Sequence, residues 1–324
     1  MKKYLCLLLA LVLLLSGCSQ PAEEVTEPAA AETDPKETVA PWMTFPADRS
    51  LTAPQYFVYD CRDGVFLKTS GDTAQKVYPA SITKLFSAYV AGQYLPKDKT
   101  VTVGDALNMV VAGSSVAGLK KGDQITVSRL IEAMMLPSGN DAAYVLAVEA
   151  GRVLAGKSAS AQAAANAFVA EMNRQAKLLG MKNTNFANPD GIHKSNHYSS
   201  FADLALLGML ALEDPVLLQY AGTATDTIDL STWGRQFVAG SPSSDADRLE
   251  WKNTNALIHP ESEYYCPYAI GLKTGQTPSA GSCLLSAFRY EGKTYVIGVF
   301  GCPEVEDRFA DTLQLFNEAI GYEG

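Results

Sequence analysis

The sequence predicts an α/β sandwich in which an antiparallel sheet, built from both ends of the folded region, packs against helices. Three observations predict this fold: strand-like alternation at the start of the folded region, apolar residues at helical spacing through its middle, and three strand-like segments before a final helix. No internal repeat and no second linker interrupt this order. Together they indicate one folded domain, roughly residues 46–324.

The first predicted element is a β-hairpin over residues 55–68. Its first arm contains the alternating segment Tyr56–Tyr59, and its turn lies at Asp60–Gly64. Apolar residues then recur at helical spacing over three stretches, 81–94, 127–154 and 163–179. The sequence therefore predicts a mainly helical middle.

The last predicted elements are three strands, over 268–272, 283–290 and 293–301, and a closing helix over 306–320. A turn at Glu291–Gly292 would join the last two strands. Counted outward from this turn, Cys283 and Cys302 become near-diagonal neighbours on one face. Whether they form a disulfide is left open by the sequence.

The N-terminus has the layout of a signal peptide, predicted over residues 1–17. Two lysines precede an apolar run from Tyr4 to Leu15. As a helix this run would rise only about 18 Å, against a hydrocarbon core of about 30 Å. The sequence Leu15-Ser16-Gly17-Cys18 resembles the bacterial lipobox, so Cys18 is the expected lipidation site. The alternative is an ordinary secretory signal with an incidental cysteine.

Residues 18–45 are predicted to form a flexible acidic tether, because they are rich in Ala, Pro, Thr and Glu and contain few large apolar side chains. The expected location is therefore outside the cell, lipid-anchored to the outer face of a bacterial cytoplasmic membrane. The net charge of -9 argues against a nucleic-acid partner. No cysteine pair has zinc-site spacing, and no metal is expected.

Three short motifs carry the chemistry: Ser81-Ile82-Thr83-Lys84, Ser138-Gly139-Asn140 and Lys273-Thr274-Gly275. Ser81 and Lys84 would share one face of a helix, so the lysine amine can reach the serine hydroxyl. A lysine can act as a base if burial and a neighbouring cation lower its pKa, and Lys273 could supply that cation. Each motif alone is weak, but their order is informative: a helix start, a break between helices, and a strand end.

The motifs and their flanks resemble the penicillin-recognising serine enzymes, most closely the D-alanyl-D-alanine carboxypeptidases classed as low-molecular-mass penicillin-binding proteins. The likeness covers nearly the whole domain. Its further markers are Gly113-Ser114-Ser115, Ala117-Gly118-Leu119, Asn188-Pro189-Asp190-Gly191, His197-Tyr198-Ser199, Ala202-Asp203-Leu204 and the extension of the third motif to Gln276 and Thr277.

The resemblance implies a role for each motif residue. Ser81 would attack the D-Ala-D-Ala carbonyl, Lys84 would take its proton, and Ser138 would help pass it to the leaving amine. Asn140 would bind the peptide amide, and Lys273 and Thr274 would bind the terminal carboxylate. Gly275 would let the substrate lie against the strand. The N–H groups of Ser81 and Gln276 would form the oxyanion hole.

The same resemblance implies peptidoglycan stem peptides as substrates, β-lactams as covalent inhibitors, and no metal or organic cofactor. Many family members carry a second β-rich domain and a C-terminal amphipathic membrane helix. Here the sequence ends soon after the closing helix. The lipid at Cys18 is expected to replace that anchor.

Two alternatives remain open. A class A β-lactamase shares the first and third motifs, but it has Ser-Asp-Asn at the second and a deacylating Glu, whereas this sequence has Gly139 and no matching Glu. A catalytically silent sensor of β-lactams or wall fragments is the second alternative. A Ser-His-Asp hydrolase is disfavoured, because no Gly-x-Ser-x-Gly elbow accompanies the three histidines, which are expected to be structural or peripheral.

Overall fold

A computed structural model of the chain describes Trp42, Phe45 and residues 50–235 and 248–322. The predicted signal peptide, Cys18 and all of the predicted tether except Trp42 and Phe45 lie outside the described residues. The strands are β1 (Gln55–Asp60), β2 (Val65–Thr69), β3 (Lys76–Val77), β4 (Thr100–Thr102), β5 (Gln124–Thr126), β6 (Ser199–Ser200), β7 (Thr225–Asp229), β8 (Arg248–Lys252), β9 (Ala269–Thr277), β10 (Gly281–Tyr290) and β11 (Lys293–Cys302). The helices are α1 (Thr83–Gly92), α2 (Val127–Met135), α3 (Asn140–Ala155), α4 (Ala161–Leu178), α5 (Phe201–Glu213), α6 (Pro215–Ala221) and α7 (Asp307–Ile320).

The central sheet joins both ends of the folded region, as the sequence predicts. Its strand order is β2-β1-β11-β10-β9, and every neighbouring pair is antiparallel. Strand β1 pairs with β11, with Gln55 opposite Phe300. This pairing closes the sheet around the helical middle of the chain.

Each face of the sheet is covered by its own apolar core. Along the strands, Phe57 and Leu285 belong to the core shared with the first six helices, whereas their neighbours Val58 and Leu284 belong to the core under α7. Side chains of a strand alternate between faces, so a sheet covered on both sides has almost uniformly apolar central strands. The α/β sandwich is therefore confirmed, with helices on both faces.

Several elements differ from the sequence prediction. Strand β9 continues through the third motif to Thr277 instead of ending at Leu272. Helices α5 and α6 and the β7–β8 hairpin were not predicted. Helix α5 is apolar over most of its length and buried on most sides, so a polar face that would mark a helical period is nearly absent.

Cys61, Cys266, Cys283 and Cys302 are all free thiols in the structure. The register explains why Cys283 does not pair with Cys302. Ser282 lies opposite Cys302, and an irregularity between Ser282 and Leu284 shifts the pairing. Cys283 then belongs to the core on the side of the first helices, while Cys302 belongs to the core under α7.

Two residues before the expected domain start at 46 belong to the packed region. Trp42 is buried against Tyr268 and Phe316. The side-chain amide of Asn317 in α7 donates hydrogen bonds to the carbonyls of Trp42 and Phe45, at 3.0 and 2.7 Å. Within the described residues, no helix is both long and apolar enough to cross a membrane.

Candidate active site

The nucleophile motif forms a tight turn ahead of α1. Ala80–Ile82 is a 3-10 turn, and Ala80 has a positive φ of 46°, unusual for a residue with a Cβ. Two glycines pack against the backbone of this turn. A Cβ on Gly191 would lie 1.9 Å from the Ala80 carbonyl oxygen, and one on Gly275 would lie 2.8 Å from that of Pro79. Gly275 therefore allows β9 to approach the nucleophile's own backbone, a different reason for glycine from the substrate contact expected from sequence.

Lys84 lies one turn after Ser81 and is fully buried. Its Nζ donates hydrogen bonds to Ser81 Oγ at 2.7 Å, to the Asp190 carbonyl at 2.9 Å and to Ser138 Oγ at 3.4 Å. The first two motifs therefore meet at one amine. The Ser81–Lys84 couple expected from spacing is present, and Asp190, seen in the sequence only as a marker, holds the amine in place.

Burial lowers the pKa of Lys84 to about 8, although the carboxylates of Asp190 and Asp141 oppose this shift. At pH 7 a group with this pKa is neutral in roughly a tenth of the molecules. For Lys273, burial again is the largest cause, and the cations of Lys84 and Arg308 also lower its pKa well below the usual value. Desolvation, expected from the sequence together with a neighbouring cation, thus prepares Lys84 to act as a base.

The second motif lies in the break between α2 and α3. Ser138 has a positive φ of 60°, and Asn140 begins α3. A Cβ at Gly139 would lie 2.7 Å from the Ala133 carbonyl oxygen, so the aspartate of a class A β-lactamase motif has no room here without a backbone shift. Asn140 is buried, and its Oδ1 has no hydrogen-bond partner among the described residues.

Helix α3 also fixes the segment beside the cleft. The Asp141 carboxylate accepts hydrogen bonds from the N–H groups of Ala117 and Leu119, and the Asn140 N–H donates to the Ser115 carbonyl at 2.8 Å. These bonds hold residues 115–119 against the second motif.

The third motif lies inside β9, at the edge of the central sheet. Lys273 is buried, and its Nζ donates to the Thr274 carbonyl at 3.3 Å. The hydroxyls of Thr274 and Thr254 are hydrogen-bonded to each other. Arg308 of α7 is also buried, and it donates to the Gly275 carbonyl at 3.4 Å.

Sequence reasoning missed Arg308 as a site residue. It lies more than thirty residues after the third motif, on an amphipathic helix where an arginine is usually solvated. Only the packing of α7 against β10 and β11 brings this side chain to the Gly275 carbonyl of the third motif. No sequence signal marks it.

The motifs border an open cleft of about 720 Å³. Ser81, Asn140 and Gln276 all line it, together with residues 111–115 and Pro278. Among the described residues, no group of three or more His, Cys, Asp or Glu side chains is arranged to hold a metal ion. The site can therefore combine a serine nucleophile, a lysine base and backbone donors.

None of the three histidines lines the cleft. His197 is buried beside the nucleophile helix: its Nδ1 accepts from the Ala187 N–H at 3.1 Å, so its Nε2 carries the proton that it donates to Thr83 Oγ1 at 2.8 Å. His259 Nε2 is hydrogen-bonded to the Asn253 carbonyl, and the His193 ring contacts Tyr78 edge to face. Their contacts support structural roles.

Known proteins are similar to this chain in sequence and in fold. The chain is 34% identical over 279 residues to the D-alanyl-D-alanine carboxypeptidase DacA of Escherichia coli, covering 83% of this chain and 61% of the relative. It is 28% identical over 251 residues to the carboxypeptidase DacF of Bacillus subtilis, covering 76% and 57%. The chain thus spans about three fifths of the length of these two curated relatives.

The fold also matches a crystal structure of the Streptomyces K15 DD-transpeptidase, with a TM-score of 0.72 and 29% identity, covering 84% of this chain and 98% of that one. The family model described as D-alanyl-D-alanine carboxypeptidase matches residues 43–303, which include all three motifs. With this match, the fold and the meeting of Ser81, Lys84 and Ser138, the chain belongs to the D-alanyl-D-alanine carboxypeptidase family.

Proposed function

We propose that this protein is a serine-type D-alanyl-D-alanine carboxypeptidase that removes the terminal D-alanine from peptidoglycan stem peptides. The observation that carries the proposal is the position of the Lys84 amine, between the hydroxyls of Ser81 and Ser138 and with its pKa lowered by burial. Family membership favours this function over a β-lactamase and over a silent sensor.

In the proposed acylation step, neutral Lys84 takes the proton of the Ser81 hydroxyl as Oγ attacks the carbonyl carbon of the penultimate D-alanine. The N–H groups of Ser81 and Gln276 would stabilise the oxyanion, a contribution of roughly 3 to 4 kcal/mol per donor. The proton then passes from Lys84 through Ser138 to the leaving amine, and D-alanine departs. Hydrolysis uses the same base in reverse, with water as the nucleophile.

Three groups would recognise the terminal carboxylate. Thr274 offers a hydroxyl, and the buried side chains of Lys273 and Arg308 lie beside it, where a bound carboxylate would favour their charged forms. Fixed cations beside a hydroxyl donor suit a carboxylate better than a neutral amide end. A site that binds a carboxylate favours a substrate with a free C-terminus. Removal of the last residue, a carboxypeptidase reaction, is therefore favoured over endopeptidase cleavage.

A second candidate is transfer of the acyl group to an amine instead of water. The structural likeness to a protein named DD-transpeptidase favours it. The two reactions share every step up to the acyl-enzyme, so only the acceptor separates them. With glycine added as the acceptor amine, a peptide ending in glycine instead of D-alanine would form only if transfer competes with hydrolysis.

The proposal extends to β-lactams, which present a strained amide beside a carboxylate and can use the same donors. After ring opening the leaving amine stays tethered near the path of hydrolytic water. A persistent covalent adduct at Ser81 is therefore expected. The predicted export signal and the lipid at Cys18 would place the domain at the outer face of the cytoplasmic membrane, where its substrate lies.

The deciding experiment measures D-alanine release from a stem pentapeptide alongside hydrolysis of penicillin, with Ser81→Ala as the control. Steady D-alanine release and a single stable penicillin adduct, both lost in the variant, would support the proposal. Rapid multiple-turnover penicillin hydrolysis would favour the β-lactamase. A stable adduct without peptide turnover would favour the sensor.

A further inference from the structure

The cleft beside Ser81 receives the part of the substrate that precedes the scissile bond; this step rests on the proposed carboxypeptidase activity. In β9 the proposed carboxylate site, Lys273–Thr274, comes first and the oxyanion donor Gln276 follows. A peptide anchored at both points therefore extends its preceding residues past Gln276 toward Pro278. The cleft is lined by Gln276 and Pro278 but not by Lys273 or Thr274.

The lining of this cleft carries no charged side chain. Within the part of the chain that the structure describes, every lining residue is apolar, a glycine, a serine, a threonine or an amide. Val111 and Ile192 contribute apolar side chains to it, and Val111 is 50% exposed. A half-exposed valine on a cleft wall offers contact to an apolar or neutral group and no partner to an ion.

The nearest charges disfavour a cation in the cleft. Lys84, Lys273 and Arg308 are buried and do not line the cleft, although Lys84 donates to Ser81 Oγ and Arg308 to the Gly275 carbonyl at its edge. The nearby carboxylates do not line it: Asp141 is engaged by the N–H groups of Ala117 and Leu119, and Asp190 is only 1% exposed. A free ammonium group there would lose water without gaining a counter-ion.

We infer that this cleft selects substrates in which the residue before D-Ala-D-Ala has an uncharged side chain. For a diamino acid at that position, the favoured form has its side-chain amine acylated, as in a stem peptide already joined to a neighbour through an amide. Val111 is the specificity-determining residue on the cleft wall. The enzyme would then trim cross-linked or otherwise acylated stems in preference to free ones.

The test compares D-alanine release from Nα,Nε-diacetyl-Lys-D-Ala-D-Ala and from Nα-acetyl-Lys-D-Ala-D-Ala, which differ only in the side-chain charge. The wild-type kcat/KM should be at least about fivefold higher for the diacetyl peptide, because only the free amine must be desolvated without a partner. Equal values, or a preference for the free amine, would overturn the inference while leaving the carboxypeptidase activity intact. Release from neither peptide would overturn both.

Two aspartate variants test the role of Val111. Val111→Asp places a counter-ion on the cleft wall, so the preference for the diacetyl peptide should fall at least about threefold. Val116→Asp is the matched control, because Val116 is 51% exposed but does not line the cleft. Its substrate preference should match the wild type.

An equal change in both variants would overturn the assignment to Val111. The rate of penicillin acylation in each variant reports whether the catalytic groups are intact, independently of the peptide. If Val111→Asp loses penicillin acylation as well, the wild-type comparison of the two peptides still decides the inference.

Discussion

The Lys84 amine is buried away from water, and this desolvation favours the neutral form that a base for Ser81 requires. Its ammonium form has three hydrogen-bond acceptors, Ser81 Oγ, Ser138 Oγ and the Asp190 carbonyl. Two of these are neutral hydroxyls and one is a neutral carbonyl. None of these contacts replaces the hydration of a full charge, so the neutral form becomes accessible near physiological pH.

The first prediction concerns the charge at this position. In Lys84→Arg the charge is kept, but a guanidinium stays protonated at any working pH and cannot accept the Ser81 proton. Acylation by penicillin should fall below about a tenth of the wild-type rate, a barrier increase above roughly 1.4 kcal/mol. Stopped-flow measurement of adduct formation gives this rate.

Lys252→Arg is the control, because Lys252 is exposed and pairs with Glu261 on the surface. That variant should acylate at the wild-type rate. If Lys84→Arg retains more than a tenth of the rate, Lys84 is not the base.

The second prediction is a pH dependence. Since the neutral amine is the proposed active form and burial lowers the pKa of Lys84 to about 8, kcat/KM should rise with pH up to about 8. Below that value it should fall about tenfold per pH unit. Peptide hydrolysis between pH 6 and 9 measures the profile, with circular dichroism showing that the fold is unchanged. A flat profile from pH 6 to 8 would contradict a base with this pKa.

At the scale of elements, the site is formed by the close approach of three pieces of backbone. The turn before α1 lies between Gly275 of β9 and Gly191 of the loop that carries Asp190. Hydrogen bonds hold this loop to α1, from Ser87 Oγ to the Pro189 carbonyl at 2.7 Å and through His197 to Thr83. Ser81 and the Asp190 carbonyl that accepts from Lys84 Nζ are thus parts of one packed unit.

The third prediction tests this packing with two glycines. Gly191 and Gly122 both have a positive φ, of 87° and 97°, but a Cβ at Gly122 would meet nothing within 4 Å. Gly122→Ala should lose only the roughly 1 to 2 kcal/mol expected for a left-handed residue with a side chain, and should keep penicillin acylation. Gly191→Ala must also displace the Ala80 carbonyl, so its acylation rate should fall at least about tenfold as Ser81 moves.

Urea unfolding and penicillin acylation measure the two effects separately. Equal acylation rates in both variants would show that the nucleophile turn tolerates displacement. In that case the close approach of Gly191 would matter to stability alone.

The sequence predicts those parts of the site where reactive side chains recur at short, fixed spacing. Ser81 and Lys84 are one helical turn apart, and Ser138 follows a Leu-Pro helix break, so both motifs can be recognised locally. Arg308 and the Asp190 carbonyl cannot be, because their roles arise from tertiary packing alone. The contact of Gly275 with the nucleophile turn was missed for the same cause: strand β9 approaches that turn through a register that no local pattern contains, and the substrate contact expected at Gly275 stays a prediction.

The secondary structure was likewise predictable only where a local sequence pattern marks it. The β1–β2 hairpin, the three strands β9–β11 and α7 each carry a clear period or turn. Helix α5 does not, because it is buried on most sides and lacks a continuous polar face, and α6 does not, because its seven residues are too few to establish a helical period. The free thiols of Cys283 and Cys302 depend on a local irregularity in β10 that turn counting cannot foresee.

At the scale of the whole molecule, the catalytic groups and the predicted membrane anchor are far apart in sequence. Every group placed in the site lies between Ser81 and Arg308, while the expected lipid attachment is at Cys18. An attachment at Cys18 would hold the domain near the membrane without taking part in the chemistry. Membrane association and acylation should therefore be separable by mutation.

The last prediction is that Cys18→Ala abolishes membrane attachment and leaves catalysis intact. The cysteine follows a short apolar segment and a small-residue pair, the order in which a lipobox is cleaved and its thiol acylated. A diacylglycerol on that thiol supplies two buried chains, enough for stable anchoring where one chain gives only marginal binding. The wild type should enter the detergent phase of a Triton X-114 separation and Cys18→Ala the aqueous phase, with equal penicillin acylation rates. An N-terminal peptide without a diacylglycerol mass in the wild type would show that the segment is an ordinary signal peptide.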